Sequence, residues 1–155
     1  METESVWDYP RPPRLEIFKG HLRIVHAGII LADTNKAFRI LETSHPPTYY
    51  LPQTDIEMQY LKANPRQSFC EFKGRASYYD LQIAGQSISQ VAWYYPTPSK
   101  AYPALKDHLC FYASKVDTCY VNDEKVQAQA GDFYGGWITA NIKGPFKGGP
   151  GTFGW

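Results

Sequence analysis

At 155 residues, with 16 Lys and Arg against 15 Asp and Glu, the chain has a formal charge of +1 and the length of a single domain. Such a balance lacks the clustered basic footprint of nucleic-acid binding, and no stretch approaches the roughly 18 apolar residues of a membrane-spanning helix. No early segment combines a basic start with an apolar run either, so the chain reads as soluble and cytosolic, and three cysteines is an odd number that argues against a disulfide framework.

Aromatic residues dominate instead. Twelve Tyr, 8 Phe and 4 Trp, with 12 Gly and 12 Pro, suit short strands joined by tight turns. Residues 1–14 contain Pro10, Pro12 and Pro13 and read as an extended arm that Trp7 and Tyr9 can pin to the body. The main domain is expected over 15–130. There Leu22, Ile24 and His26 alternate with Arg23 and Val25 and lead to Ala27-Gly28, which predicts a hairpin into residues 29–32. A turn at 33–36 precedes a strand over 37–41, and Pro46-Pro47 breaks any continuation before an extended segment at 48–51. Thr54-Asp55-Ile56-Glu57 fits a capping box, predicting a short helix over 54–62 that ends before Pro65. Strands are predicted over 68–72, 76–83 and 87–95, with a turn at Ala84-Gly85-Gln86.

One helical turn is predicted at 103–107. Strands over 109–113 and 116–121 follow, and Asn122-Asp123 turns into 125–128. A hairpin centred on Ser114-Lys115 would set Cys110 opposite Cys119 as packed, reduced thiols. Residues 131–155 change character, with eight glycines beside Phe133, Tyr134, Trp137, Phe146, Phe153 and Trp155. We read 131–142 as partly ordered, with rings able to bury against the body and close over a cleft, and the remainder as a mobile end. Helix is scarce, so the chain is read as one β-dominated domain.

Four residues carry the candidate chemistry. Glu42 sits at a strand end near rings, where partial desolvation suits general acid or base work; the competing reading is a carboxylate taken up by backbone N–H groups. Lys73, flanked by Phe72 and followed by Gly74, can anchor an anionic ligand or pair with Glu42, or simply lay its stem over a ring. His45 is a second proton carrier, and Cys70 is a nucleophile only if Lys73 or His45 stabilises its thiolate. Asp55 is better explained as a first-turn helix residue. Alternation sends one ring of each pair, Tyr49 or Tyr50, Tyr78 or Tyr79, to a pocket and the other elsewhere; Tyr49, Tyr50, Tyr78, Trp93 and Tyr95 are the candidate walls. The histidines follow no ligand spacing and no phosphate-loop pattern occurs, so neither a metal nor a cofactor is expected.

The ordered strings E-T-S-H-P-P-T-Y-Y-L-P-Q-T-D, C-E-F-K-G-R-A-S-Y-Y and A-W-Y-Y-P-T-P, with F-Y after them, resemble the domain-of-unknown-function family numbered 427, over roughly residues 20–120. Matching positions include Glu42, Tyr49, Tyr50, Asp55, Cys70, Lys73, Gly74, Tyr78, Trp93 and Tyr95. Glu71-Phe72 depart from the Pro-Tyr often found there, which adds a charge near the site. The resemblance implies a β-tent, two antiparallel sheets meeting along one edge, similar to methionine sulfoxide reductase B. The paired C-x-x-C zinc knuckles of those relatives are missing, so their metal and redox chemistry is not carried over. The nucleotidyltransferase-like label sometimes given to the family is not carried over either. The resulting expectation is a metal-independent acid/base enzyme (isomerase, cyclase, hydratase or hydrolase type) acting on a small organic metabolite. The alternatives are a non-catalytic ligand-binding module and an assembly protein that forms a homodimer through its aromatic tail.

Overall fold

The computed structural model describes residues 1–131 and 133–155. The chain is mainly β, built from several antiparallel sheets. Strand β1 (Glu4–Ser5) opens the arm, and β2 (Arg14–Ile17) follows it. The hairpin of β3 (Leu22–His26) and β4 (Ile29–Thr34) turns at Ala27-Gly28, where φ is +51° and +73°. Next, β5 (Phe38–Leu41) and β6 (Thr48–Tyr50) join β2 in a three-stranded sheet of order β2-β5-β6. The longest strands, β7 (Leu61–Cys70), β8 (Gly74–Ile83) and β9 (Gln86–Tyr94), form a four-stranded sheet with β10 (Cys110–Phe111). A second four-stranded sheet, of order β12-β11-β3-β4, is completed by β11 (Thr118–Val121) and β12 (Glu124–Lys125). Then β13 (Gln127–Ala128) pairs with β14 (Trp137–Ile138), and β15 (Ile142–Lys143) runs parallel to β1. Among the described residues, no helix is long and apolar enough to cross a membrane.

Two apolar clusters share these strands. The larger packs Leu22, Ile24, Leu31 and Val121 of one sheet against Leu81, Val91 and Phe111 of the other. The second gathers Ile40 and Tyr50 with Ala76, Tyr78, Trp93 and Tyr95. Along β8 the even positions Ala76 and Tyr78 serve the second cluster, while the odd positions Tyr79, Leu81 and Ile83 serve the first. The pleat alone lets this strand line two compartments, and the register shift against β9 is taken up by extra residues of β9 between Ile88 and Ala92.

Three local expectations are corrected. Residues 54–62 form no α-helix; two 3-10 turns, Gln53–Asp55 and Met58–Tyr60, lead straight into β7. The Glu57 N–H donates to the Leu31 carbonyl at 2.9 Å, and Ile56 bridges to Ala32, so β4 holds this segment extended. Tertiary pairing overrides a weak local helix signal. Pro65 therefore ends no helix: it lies inside β7, where the register shifts between Asn64 and Gln67 and no ladder N–H is required. Cys110 and Cys119 are not cross-strand partners, because β10 pairs with β9 and β11 with β3. Both thiols are buried, in different clusters, and burial raises the pKa of each.

Residues 131–155 are bound into the body well past residue 142. Trp137 is fully buried; its indole N–H donates to the Phe111 carbonyl at 2.9 Å and its backbone N–H to that of Pro47 at 2.8 Å. Gln129 uses both ends of its side-chain amide: Nε2 donates to the Lys147 carbonyl at 2.6 Å, and Oε1 accepts from the Gly136 N–H at 2.9 Å. Replacing Gln129 with Ala leaves two part-buried backbone groups unpaired, at a cost of about 1–3 kcal/mol. The expected outcome, read by denaturant unfolding and amide exchange, is a loss in that range with faster exchange at Gly136; unchanged exchange there would contradict the latch.

Candidate functional site

Two segments converge on the irregular loop 42–47. From the arm, the carbonyls of Pro10 and Val6 accept from the N–H groups of Thr43 (3.2 Å) and Ser44 (3.0 Å). The Thr43 hydroxyl donates to the Tyr9 carbonyl at 2.6 Å. From the other side, the Lys147 N–H donates to the Ser44 carbonyl at 2.8 Å. Pro46 and Pro47 cannot donate, so the loop cannot join a sheet ladder, and its shape is set by these outside partners.

This clamp places Glu42 and His45 on the wall of a cavity of about 390 Å³. The opposite wall comes from β8 and β9. Their alternation turns Tyr78, Trp93 and, just past β9, Tyr95 inward, while Tyr79 stacks on Tyr94 on the other face with ring centroids 5.0 Å apart. The hairpin between β7 and β8 brings Cys70 and Lys73 to the same space. Gly74 follows with φ of +108°, and the Ser99 hydroxyl and N–H bond to the carbonyls of Phe72 and Lys73 at 2.6 and 2.9 Å. That close approach fixes where Lys73 begins.

Of the candidate residues, Glu42, His45, Lys73, Tyr50, Tyr78, Trp93, Tyr95 and Cys70 all border this cavity. Tyr49 does not. It is one residue from Tyr50 on β6, so the pleat turns it into the main core, where it packs on Phe18 (5.1 Å) and Trp137 (5.3 Å). Asp55 also lies elsewhere and accepts from the Thr34 hydroxyl at 2.7 Å. The cavity contains residues that sequence reasoning did not pick. Arg11 comes from a proline-rich arm whose sequence carries no site signal. Tyr112, Phe133, Tyr134, Lys147 and Trp155 also line it, and the density of rings after residue 130 was the only clue to most of them.

Electrostatically the site is a short relay. Arg11 Nη2 lies 3.4 Å from Glu42 Oε2 and also donates to the Thr43 carbonyl at 3.0 Å. His45 Nδ1 is 2.9 Å from that same carbonyl and 3.9 Å from Glu42 Oε2. A carbonyl only accepts, so the neutral ring carries its hydrogen on Nδ1 and leaves Nε2 with a free lone pair. Burial lowers the His45 pKa below the ordinary 6.5, outweighing the upward pull of Glu42; Lys147 and Arg11 push it further down. Burial raises Tyr50 and Tyr95 well above the usual phenol value, so both stay protonated donors at neutral pH. The Tyr50 hydroxyl is buried with no hydrogen-bond partner among the described residues, and the polar groups nearest it belong to Thr48 and Trp93. Among the described residues, no three His, Cys, Asp or Glu side chains gather as a metal site. Lys73 has no ion-pair or hydrogen-bond partner for its ammonium among those residues.

Chemically this arrangement pairs a proton acceptor, backed by a carboxylate, with an uncommitted ammonium across a ring-lined space. Comparison with protein-family models finds that residues 14–122 match the model described as "Domain of unknown function (DUF427)". No curated protein matches the chain. The matched range carries Glu42, His45, Lys73 and the strand-borne rings; Arg11 and all lining residues beyond 122 lie outside it.

The sign of the His45 titration follows from its neighbours. Its folded pKa lies below the unfolded value, so the folded state holds fewer protons and loses stability as pH falls through the ordinary histidine value. An NMR titration is expected to place the His45 midpoint below 6.5, with Glu42→Gln moving it lower and Arg11→Gln moving it higher. A midpoint above 6.5, or equal movement in both variants, would contradict the relay.

Proposed function

The chain belongs to the DUF427 family, and on that premise we propose that this member binds a small organic metabolite in the ring-lined cavity and moves a proton on it. His45 Nε2 is the proton acceptor in this reading. Glu42 steadies the imidazolium that forms, and Lys73 binds a carboxylate of the ligand or polarises its carbonyl. The proton taken up by His45 is returned to the product or to water, which suits isomerisation, cyclisation, hydration or hydrolysis. The observation that carries the reading is that Glu42, His45 and Lys73, separated in sequence, border one ring-lined cavity. His45 takes the proton-carrying role rather than Glu42 because Arg11 already engages the carboxylate, while imidazole Nε2 has no partner among the described residues.

A second reading, a binding module without catalysis, is favoured by the Arg11–Glu42 contact at 3.4 Å, which a purely structural ion pair would also make. The two readings separate in one experiment. The protein is incubated in D₂O with a library of small organic acids and carbonyl compounds, and the loss of C–H signals is followed by NMR. Catalysed exchange is expected for at least one compound, with His45→Asn slowing it by about 10²–10⁴-fold and Glu42→Gln moving its acid limb to lower pH. Exchange at full rate in His45→Asn would remove histidine from the mechanism, and binding with no exchange would favour the module.

A further inference from the structure

The cavity has an unused charge, from the β7–β8 hairpin, and an uncovered pair of rings, from the C-terminal extension. Three cations border the space. Arg11 is committed to Glu42 and the Thr43 carbonyl. Lys147 donates to the Trp155 carbonyl at 2.8 Å and lies 5.4 Å over the Tyr134 ring. Lys73 alone of the three has no such commitment among the described residues, and Glu71, which also borders the cavity, is exposed. A half-buried ammonium beside rings attracts an anion more strongly than it would in open water.

The rings supply the shape. Phe133 and Tyr134 stack with centroids 5.4 Å apart and planes 12° apart, yet they are 51% and 36% exposed. The backbone after them is pressed onto the body. A Cβ at Gly135 would come within 2.6 Å of the Trp93 ring, and one at Gly136 within 2.6 Å of Gln129 Oε1. The Tyr112 hydroxyl donates to the Phe133 carbonyl at 3.1 Å, and the Tyr134 ring meets His45 edge-on at 5.2 Å. The pair is therefore held at the cavity rim by its neighbours, with apolar area left for something else to cover.

We propose that the cavity takes a planar aromatic carboxylic acid, that Lys73 holds its carboxylate, and that Phe133 and Tyr134 of the extension select for its flat ring. This rests on the reading that the cavity is the ligand site, and it names the ligand class. A volume of about 390 Å³ accommodates a ligand of one or two rings. A flat ring meets other rings by offset stacking or edge contact, which a puckered saturated ring cannot reproduce. Because Phe133 and Tyr134 lie outside residues 14–122, this selectivity belongs to the extension and not to the segment shared with the family.

The test measures affinities of the full chain for three matched probes: cinnamate, 3-cyclohexylpropanoate and cinnamyl alcohol. Cinnamate is expected to bind about tenfold more tightly than either of the others, a ratio in keeping with one aromatic contact or one charge-assisted bond. In Lys73→Gln the advantage of acid over alcohol disappears while the alcohol binds as before. In Phe133→Leu with Tyr134→Leu the advantage of flat over saturated ring disappears while the charge preference stays; both positions are exposed, so folding is spared. Equal binding of 3-cyclohexylpropanoate, or preferences that survive the variants, would overturn the proposal. So would failure of all three probes to bind, an outcome that leaves the proton-transfer reading to its own exchange assay.

Discussion

Four backbone hydrogen bonds on the loop 42–47 decide whether the site exists. Two come from carbonyls of the arm, at Val6 and Pro10, and two are donated by Trp137 and Lys147 of the extension. Neither proline of the loop can donate, and Ser44 is held at a φ of +71°, so the loop has no regular structure to fall back on. Glu42 and His45 are carried by it. Their separation from each other, and from Arg11, is thus set by segments that lie outside the family-matched range. Pre-organisation of a proton acceptor by groups that are themselves fixed is what lets an imidazole act without reorganising.

The body contributes in a different way. Consecutive aromatic residues on its strands are divided by the pleat between a dry core and a cavity: Tyr49 inward and Tyr50 to the site, Tyr94 to the core side and Tyr95 to the site. The same strands therefore line the core and the cavity at once. The same division runs along β8, where Tyr78 faces the site and Leu81, three residues on, faces the core. Burial holds the phenols Tyr50 and Tyr95 in their protonated form, which in the proposed function leaves the proton acceptor to His45.

Much of this was legible in the amino-acid order. The turns at Ala27-Gly28, Ala84-Gly85 and Asn122-Asp123 were readable because each pair adopts positive φ and suits a tight hairpin. The strand-borne residues of the cavity were readable from alternation, although the period alone could not say which of Tyr49 and Tyr50 faces which side. Other features depended on distant partners. The capping-box pattern at Thr54 is genuine, but Leu31 and Ala32 draw the segment into extended pairing, and no local rule anticipates that. Arg11 belongs to a stretch whose prolines say only that it is extended. The extension's glycines suggested a mobile end, whereas its rings and Gln129 hold it in place as far as Trp155, whose ring sits edge-on to Trp7 at 5.2 Å.

The parallel pairing of β1 with β15 brings Glu4 beside Ile142, and nearby the Trp7 indole reaches the Pro145 carbonyl across 138 residues. Closing so long a span is entropically costly before the intervening sheets exist, so these contacts assemble after the body and open ahead of it. Because β1 adjoins the arm that carries Arg11, and β15 adjoins the run that carries Lys147, opening there disassembles the site while both four-stranded sheets persist. The cavity would then be lost before the fold on warming, and partial denaturation would yield a folded body without its ring-lined space.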